Sequence, residues 1–309
     1  MMTRRQFALR AVGASTIVGA GRDLTVAAPP PKSILETIRD AEPLDDVDVI
    51  DAHAHFSGVL QNGKLPQGVE ALIRAMDRCG INQAFVSSSA AIGGATPQEF
   101  RAGNEAAIAA VKEHPKRLRA YLVFQPHFLD ASLAMAARIL EPNSRLAGFK
   151  LHGVSHNYPV DGEAYRRAYQ FAHQHRLPVL FHVKSSHGSE TPTLRREELH
   201  VVLSRVLEEF TEMKLIIAHF GRSVNDWAGF SAKHPNVFME TAASDVPYRI
   251  LERTVAGSGS DRILFGTDST YLSPGAQLAK VAFADISEED KRKILALNAG
   301  RVFGASIGA

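Results

Sequence analysis

From about residue 45 onward, short apolar or β-branched runs alternate with longer stretches in which apolar positions recur every three to four residues. The runs 47–55, 81–88, 118–125, 146–152, 178–184, 214–220, 236–242 and 262–268 have the length and residue types of β-strands. Between them the periodicity predicts helices at 66–79, 97–114, 129–141, 161–175, 193–212, 222–234 and 246–256. A last one, 287–298, opens on Ser287 followed by Glu288 and Glu289, an N-cap with an acidic first turn. A strand followed by a helix, eight times over, predicts an α/β protein of the (β/α)8 TIM-barrel kind. An open doubly wound sheet would place a glycine-rich phosphate loop after its first strand, and here that position holds His53-Ala54-His55.

Polar residues sit where these apolar runs end. Side chains alternate along a strand, so Asp51, His53 and His55 are expected on one face, the two imidazoles about 7 Å apart along the strand. Strand four ends in Phe149-Lys150-Leu151-His152, strand five in Phe181-His182, strand six in Ala218-His219 and strand eight in Gly266-Thr267-Asp268. In a barrel these ends meet on one rim, built by the βα loops. Buried polar groups without partners are costly, and shared ligation of a metal ion supplies a common reason for this convergence.

These motifs, with the closing Leu297-Asn298-Ala299-Gly300-Arg301-Val302-Phe303-Gly304, resemble the amidohydrolase superfamily over residues 47 to 304. The likeness is to its amidohydrolase-related branch, which includes carboxymuconate-semialdehyde decarboxylase-like enzymes. The resemblance implies one divalent metal, zinc before manganese, held by His53, His55, His182 and Asp268. Such an ion lowers the pKa of its water toward ~7. Asp268 is also implied as the group that moves the proton, and His219 as the one that polarises substrate or shuttles a proton. The competing reading of His219 is a hydrogen-bonded core histidine. Lys150 has three readings: a carboxylated bridge between two metals, an ammonium facing an anionic substrate, or the partner of a barrel carboxylate. His152 is expected to line the pocket. Arg222 stands where the family often has a second glycine, and it suits either a substrate carboxylate or a solvated helix face.

Composition narrows the partners. The 309 residues carry 35 basic and 33 acidic side chains with no basic stripe, which argues against nucleic acid, and the family resemblance implies a small-molecule substrate. The single Cys79 excludes an internal disulfide and reads as a small buried hydrophobe. Residues 1–30, with Arg4-Arg5 before an Ala/Gly-rich stretch, resemble a twin-arginine export signal, leaving 31–309 as one catalytic domain. That stretch is too short and glycine-rich to span a membrane, so an exported, extracytoplasmic protein without stable membrane insertion is expected. A homodimer is expected from base rates.

Two chemistries and one non-catalytic reading follow. The first is a hydrolase in which a metal-activated water attacks a lactone, ester or amide; the short loop from Phe56 to Leu65 leans toward it. The alternative is a non-oxidative decarboxylase of an aromatic or unsaturated acid, and the third an exported binding protein. His127, His156 and His187 lie in loops that could face the rim, whereas Ser87 to Ser89 suggest no assignable triad.

Overall fold

The apolar runs form eight parallel strands in the computed structural model, which describes residues 32–304 apart from 41, 43, 45, 46, 60, 183–195, 223 and 245. Of residues 196–198, 222 and 224–226 only the backbone is described. The strands are β1 Ile50–Phe56, β2 Gln83–Ser88, β3 Leu118–Val123, β4 Leu146–His152, β5 Pro178–His182, β6 Lys214–Ile217, β7 Val237–Glu240 and β8 Ile263–Leu264. Each pairs with the next in chain order. The ring closes where Ala52 N donates to Phe265 O at 2.8 Å and Ala54 bridges to Ser269. The architecture is the (β/α)8 barrel.

Alternation along the strands divides the core in two. Val179 and Phe181 of β5 and Leu215 and Ile217 of β6 pack outward in the large layer under the helices. Leu180 and Ile216 turn inward, joining Ile50, Ala52, Phe85, Tyr121 and Leu264. Val302 and Phe303 of the C-terminal helix join this inner cluster, with the Phe303 and Phe85 rings stacked 3.9 Å apart. Apolar side chains thus fill the inner cluster, while the polar residues occupy the C-terminal strand ends.

The expected strands six and eight run too long. β6 stops at Ile217, because residues 218–222 turn through left-handed backbone at His219, Phe220 and Gly221. β8 is two residues long, and Asp268 beyond it has φ 53°. Helices at Ser89–Ile92, Gly153–His156 and Pro274–Ala282 were not anticipated; the last has Ser273 as N-cap and Pro274 in its first turn, which suits proline's fixed φ. The expected helix 287–298 continues to Phe303, widening to π geometry over Lys293–Leu297. Among the described residues no helix is long and apolar enough to cross a membrane. The expected export signal, residues 1–30, lies outside the described residues.

Candidate metal centre

The phase of β1 changes just before its histidines. Its pairing with β2 shifts register between Asp51 and Ala54. Ile50 and Ala52 belong to the inner cluster but Ala54 and Phe56 to the outer one, so the alternation reverses across this irregularity. The uniform row of Asp51, His53 and His55 expected from strict alternation is therefore broken. Asp51 instead accepts from Thr267, from its hydroxyl at 2.5 Å and its N–H at 3.0 Å, and ties β1 to the segment after β8. Burial pushes the Asp51 carboxyl up to about 7.

His53 and His55 bring their Nε2 atoms within 2.9 Å of each other. Their other nitrogens are engaged below: His53 Nδ1 with Glu240 Oε1 at 3.0 Å, His55 Nδ1 with the Ser87 hydroxyl at 2.9 Å and the Ser87 carbonyl at 3.3 Å. With the Nδ1–H groups given to the Glu240 carboxylate and the Ser87 oxygens, both Nε2 atoms present lone pairs. Asp268 Oδ1 adds negative charge 3.3 Å from His55 Nε2 and 3.6 Å from His53 Nε2. Facing lone pairs beside a carboxylate repel one another unless a cation sits among them. The donor set thus fits a divalent ion of the imidazole-and-carboxylate class. Ligand atoms of His53, His219 and Asp268 also lie within 4.8 Å of one another.

Lys150 Nζ reaches His53 Nε2 at 2.9 Å from beneath, fully buried. It stands inside the cluster rather than on its open side. His219 rests with Nδ1 on the Ala242 carbonyl at 3.0 Å and Nε2 3.0 Å from His182 Nδ1. His182 is therefore one imidazole removed from Asp268, next to His219. His152 pairs in register with His182, and their rings stack 4.1 Å apart at 13°. The Arg222 side chain and His187 lie outside the described residues. His156 is buried, with Nδ1 2.7 Å from the Tyr165 hydroxyl. His127 Nε2 bonds the His156 carbonyl at 2.6 Å.

Burial sets the protonation of the cluster. It lowers His53, His55, His152, His182 and His219 from their ordinary values, so these imidazoles are neutral donors of lone pairs. It also brings the Lys150 ammonium down to about 8. Burial works the other way on Asp268, but the imidazoles of His55, His53 and His219 around it outweigh burial and hold the carboxylate below its usual range. Asp268 is more open than the histidines around it: its side chain is 16% exposed, against 0%, 4% and 9% for His53, His55 and His219.

Sequence reasoning passed over Glu240. The residue ends β7 fully buried, and its oxygens accept from His53 Nδ1, from His219 N–H at 2.5 Å and from Ala242 N–H at 2.6 Å. The available signal was a carboxylate at the end of the apolar run Val237-Phe238-Met239, the same phase that marked the other strand ends.

The sequence profile of the family described as amidohydrolase matches residues 50–305. No curated protein matches the chain in sequence. In fold the chain is similar to a 2,6-dihydroxybenzoate decarboxylase from Rhizobium, at 17% identity over 84% of this chain and 99% of that one, with TM-score 0.65. It is similar also to a 5-carboxyvanillate decarboxylase from Novosphingobium aromaticivorans complexed with manganese, at 15% identity over 84% and 96%, with TM-score 0.67. A dihydroxybenzoic acid decarboxylase from Polaromonas with bound manganese shares 18% identity over 84% and 97%, with TM-score 0.64. With the family profile spanning the whole barrel, the chain belongs to the amidohydrolase family.

Proposed function

We propose that this protein is a metal-dependent, non-oxidative decarboxylase of an aromatic acid. The observation that carries the reading is the asymmetry of the site: one carboxylate, Asp268, opens outward from a buried basic cluster of His53, His55, His219 and Lys150. The flat wall made by the stacked His152 and His182 rings suits an aromatic ring. The decarboxylases of similar fold support the same reading, which we place ahead of the hydrolase expectation.

His53, His55 and Asp268 would hold the ion, with His219 or His182 completing the set; two of the similar structures hold manganese, so Mn2+ stands beside Zn2+ as the candidate. When bound, it would anchor the substrate's oxygen atoms and draw charge from its ring. Lys150 would add positive charge from below. In the reaction the bond from the ring carbon to the carboxylate breaks, its electron pair stays on the ring carbon, and a proton takes the place of the released carbon dioxide. Asp268 Oδ1, the open-side group and an anion at rest, would take that proton from solvent and pass it to the ring carbon, and His219 would hold the reacting end in place.

Hydrolysis of a lactone is the second reading, kept by membership of the amidohydrolase family; Asp268 would then take a proton from water. The metal-loaded protein should release carbon dioxide from hydroxybenzoic acids and, in D2O, place deuterium on the vacated ring carbon. Ring opening of lactones without carbon dioxide from any acid would replace this reading with hydrolysis. Export through residues 1–30 is likewise proposed, and fractionation with Arg4→Lys plus Arg5→Lys tests it.

A further inference from the structure

We infer that Glu240 is the positioning residue of this centre, one buried carboxylate that fixes the His53 imidazole and the turn carrying His219 together. Its consequence for metal binding rests on the function proposed above; its geometry does not. Three N–H donors from three parts of the chain meet on this one carboxylate: His53 Nδ1 from β1 at 3.0 Å, His219 N from beyond β6 at 2.5 Å and Ala242 N from beyond β7 at 2.6 Å.

Each contact aims a site group. A carboxylate on Nδ1 holds His53 in the tautomer whose Nε2 lone pair faces the centre, and makes that nitrogen a stronger donor. His219 and Phe220 have φ of 59° and 52°, a region that side-chain-bearing residues avoid. Such backbone persists only where its surroundings over-determine it, and here Glu240 holds the His219 N–H. The same carboxylate fixes Ala242, whose carbonyl accepts His219 Nδ1–H at 3.0 Å. His219 is thus gripped at its main chain and its ring through a single anion.

The fold makes room for that anion and braces it. A Cβ on Gly266 would fall 2.1 Å from Glu240 Oε2 and 2.9 Å from its Cδ. Gly266 is not among the positive-φ glycines, so its missing side chain serves space and not backbone freedom. From the helix Pro274–Ala282, Gln277 bonds both the N–H and the carbonyl of Ala243 at 3.2 Å, and Lys280 Nζ bonds the Thr241 carbonyl at 2.5 Å. The segment following Glu240 is therefore held from outside as well. A neutral amide of the same shape cannot substitute, since its NH2 would face at least one of the three N–H groups.

The test compares wild type with Glu240→Gln and Glu240→Asp. In 15N-labelled metal-free wild type, long-range proton–nitrogen correlations should show His53 protonated on Nδ1, and the His219 amide should exchange slowly. Glu240→Gln should shift the His53 tautomer, speed exchange at the His219 amide, and weaken calorimetric binding of Mn2+ and Zn2+ by roughly 10–100-fold. Glu240→Asp should recover part of each effect. A wild-type His53 protonated on Nε2, or a Glu240→Gln protein with unchanged tautomer and ion affinity, overturns the proposal. If Glu240→Gln does not fold, the wild-type tautomer and amide exchange still decide. If wild type binds neither ion, the metal reading falls, while the tautomer and exchange results judge Glu240 on their own.

Discussion

Asn298 donates its side-chain amide to the carbonyl of Ile263 at 2.6 Å, stitching the C-terminal helix to the first residue of β8. Its second hydrogen goes to the Ser260 carbonyl at 2.8 Å, and the side chain is fully buried. The two bonds give a structural reason for asparagine in the Leu297-Asn298-Ala299-Gly300 motif. Asn298→Ala leaves two buried carbonyls unpaired and should cost about 2–4 kcal/mol. Asn298→Asp should cost more, because it aims a carboxylate at both. Urea unfolding measures this, and a loss under about 0.5 kcal/mol would contradict the assigned role.

The strand ends were legible for a physical reason. Each apolar run must be buried on both faces of a parallel sheet, so a polar residue closing the run signals the barrel's rim. That logic locates His53, His55, Lys150, His152, His182, His219 and Asp268 at the strand ends from the sequence alone. It did not reach the turn at His219, because nothing in Ala218-His219-Phe220-Gly221 announces that two residues with side chains adopt left-handed backbone, and the contact on the His219 N–H comes from Glu240, on the next strand. The phase change in β1 was hidden for a similar reason. It is held by Asp51 against Thr267, a contact 216 residues apart along the chain. The helix Pro274–Ala282 was readable in principle from Ser273-Pro274 and was overlooked.

His156 predicts an acid-side loss of stability. Burial holds its imidazole down to about 4 from an ordinary 6.5, with Nδ1 paired to the Tyr165 hydroxyl. Between those two values the unfolded chain binds a proton that the folded chain refuses. Stability from this group is therefore complete above about pH 6.5 and declines as pH falls toward 4, by about 1.4 kcal/mol per unit and about 3 kcal/mol in all. His156→Gln should flatten the pH dependence of unfolding free energy by about one proton across that window. An unchanged slope would show that His156 does not stay neutral in the fold.

His152 should act on substrate affinity more than on turnover. Its ring stacks on His182, while its Nδ1 accepts the Ser155 N–H at 3.1 Å as the N-cap of a short helix. Alanine would remove both contacts and confuse them. Asparagine keeps a cap acceptor and removes the ring, so His152→Asn should leave thermal stability nearly unchanged. KM for an aromatic acid should rise by roughly 2–12-fold, the worth of one aromatic pair, with kcat little altered. A fall confined to kcat would place His152 in proton transfer instead.

Asp268 sits in left-handed backbone at φ 53°, its N–H donating to the His53 carbonyl at 2.7 Å. Among uncharged residues that carry a side chain asparagine tolerates that conformation best, so Asp268→Asn changes charge and proton affinity with little backbone strain. The metal-free variant should melt within a few degrees of wild type. Turnover should fall at least 100-fold, the scale expected when a positioned acid–base group is lost. Elemental analysis should find about one divalent ion per chain in wild type and less in the variant, while His53→Ala with His55→Ala should remove the ion altogether. Metal content that survives the double histidine variant would move the centre elsewhere in the barrel. Turnover that survives Asp268→Asn would pass the proton to His219, whose Nε2 lies 3.0 Å from His182 Nδ1.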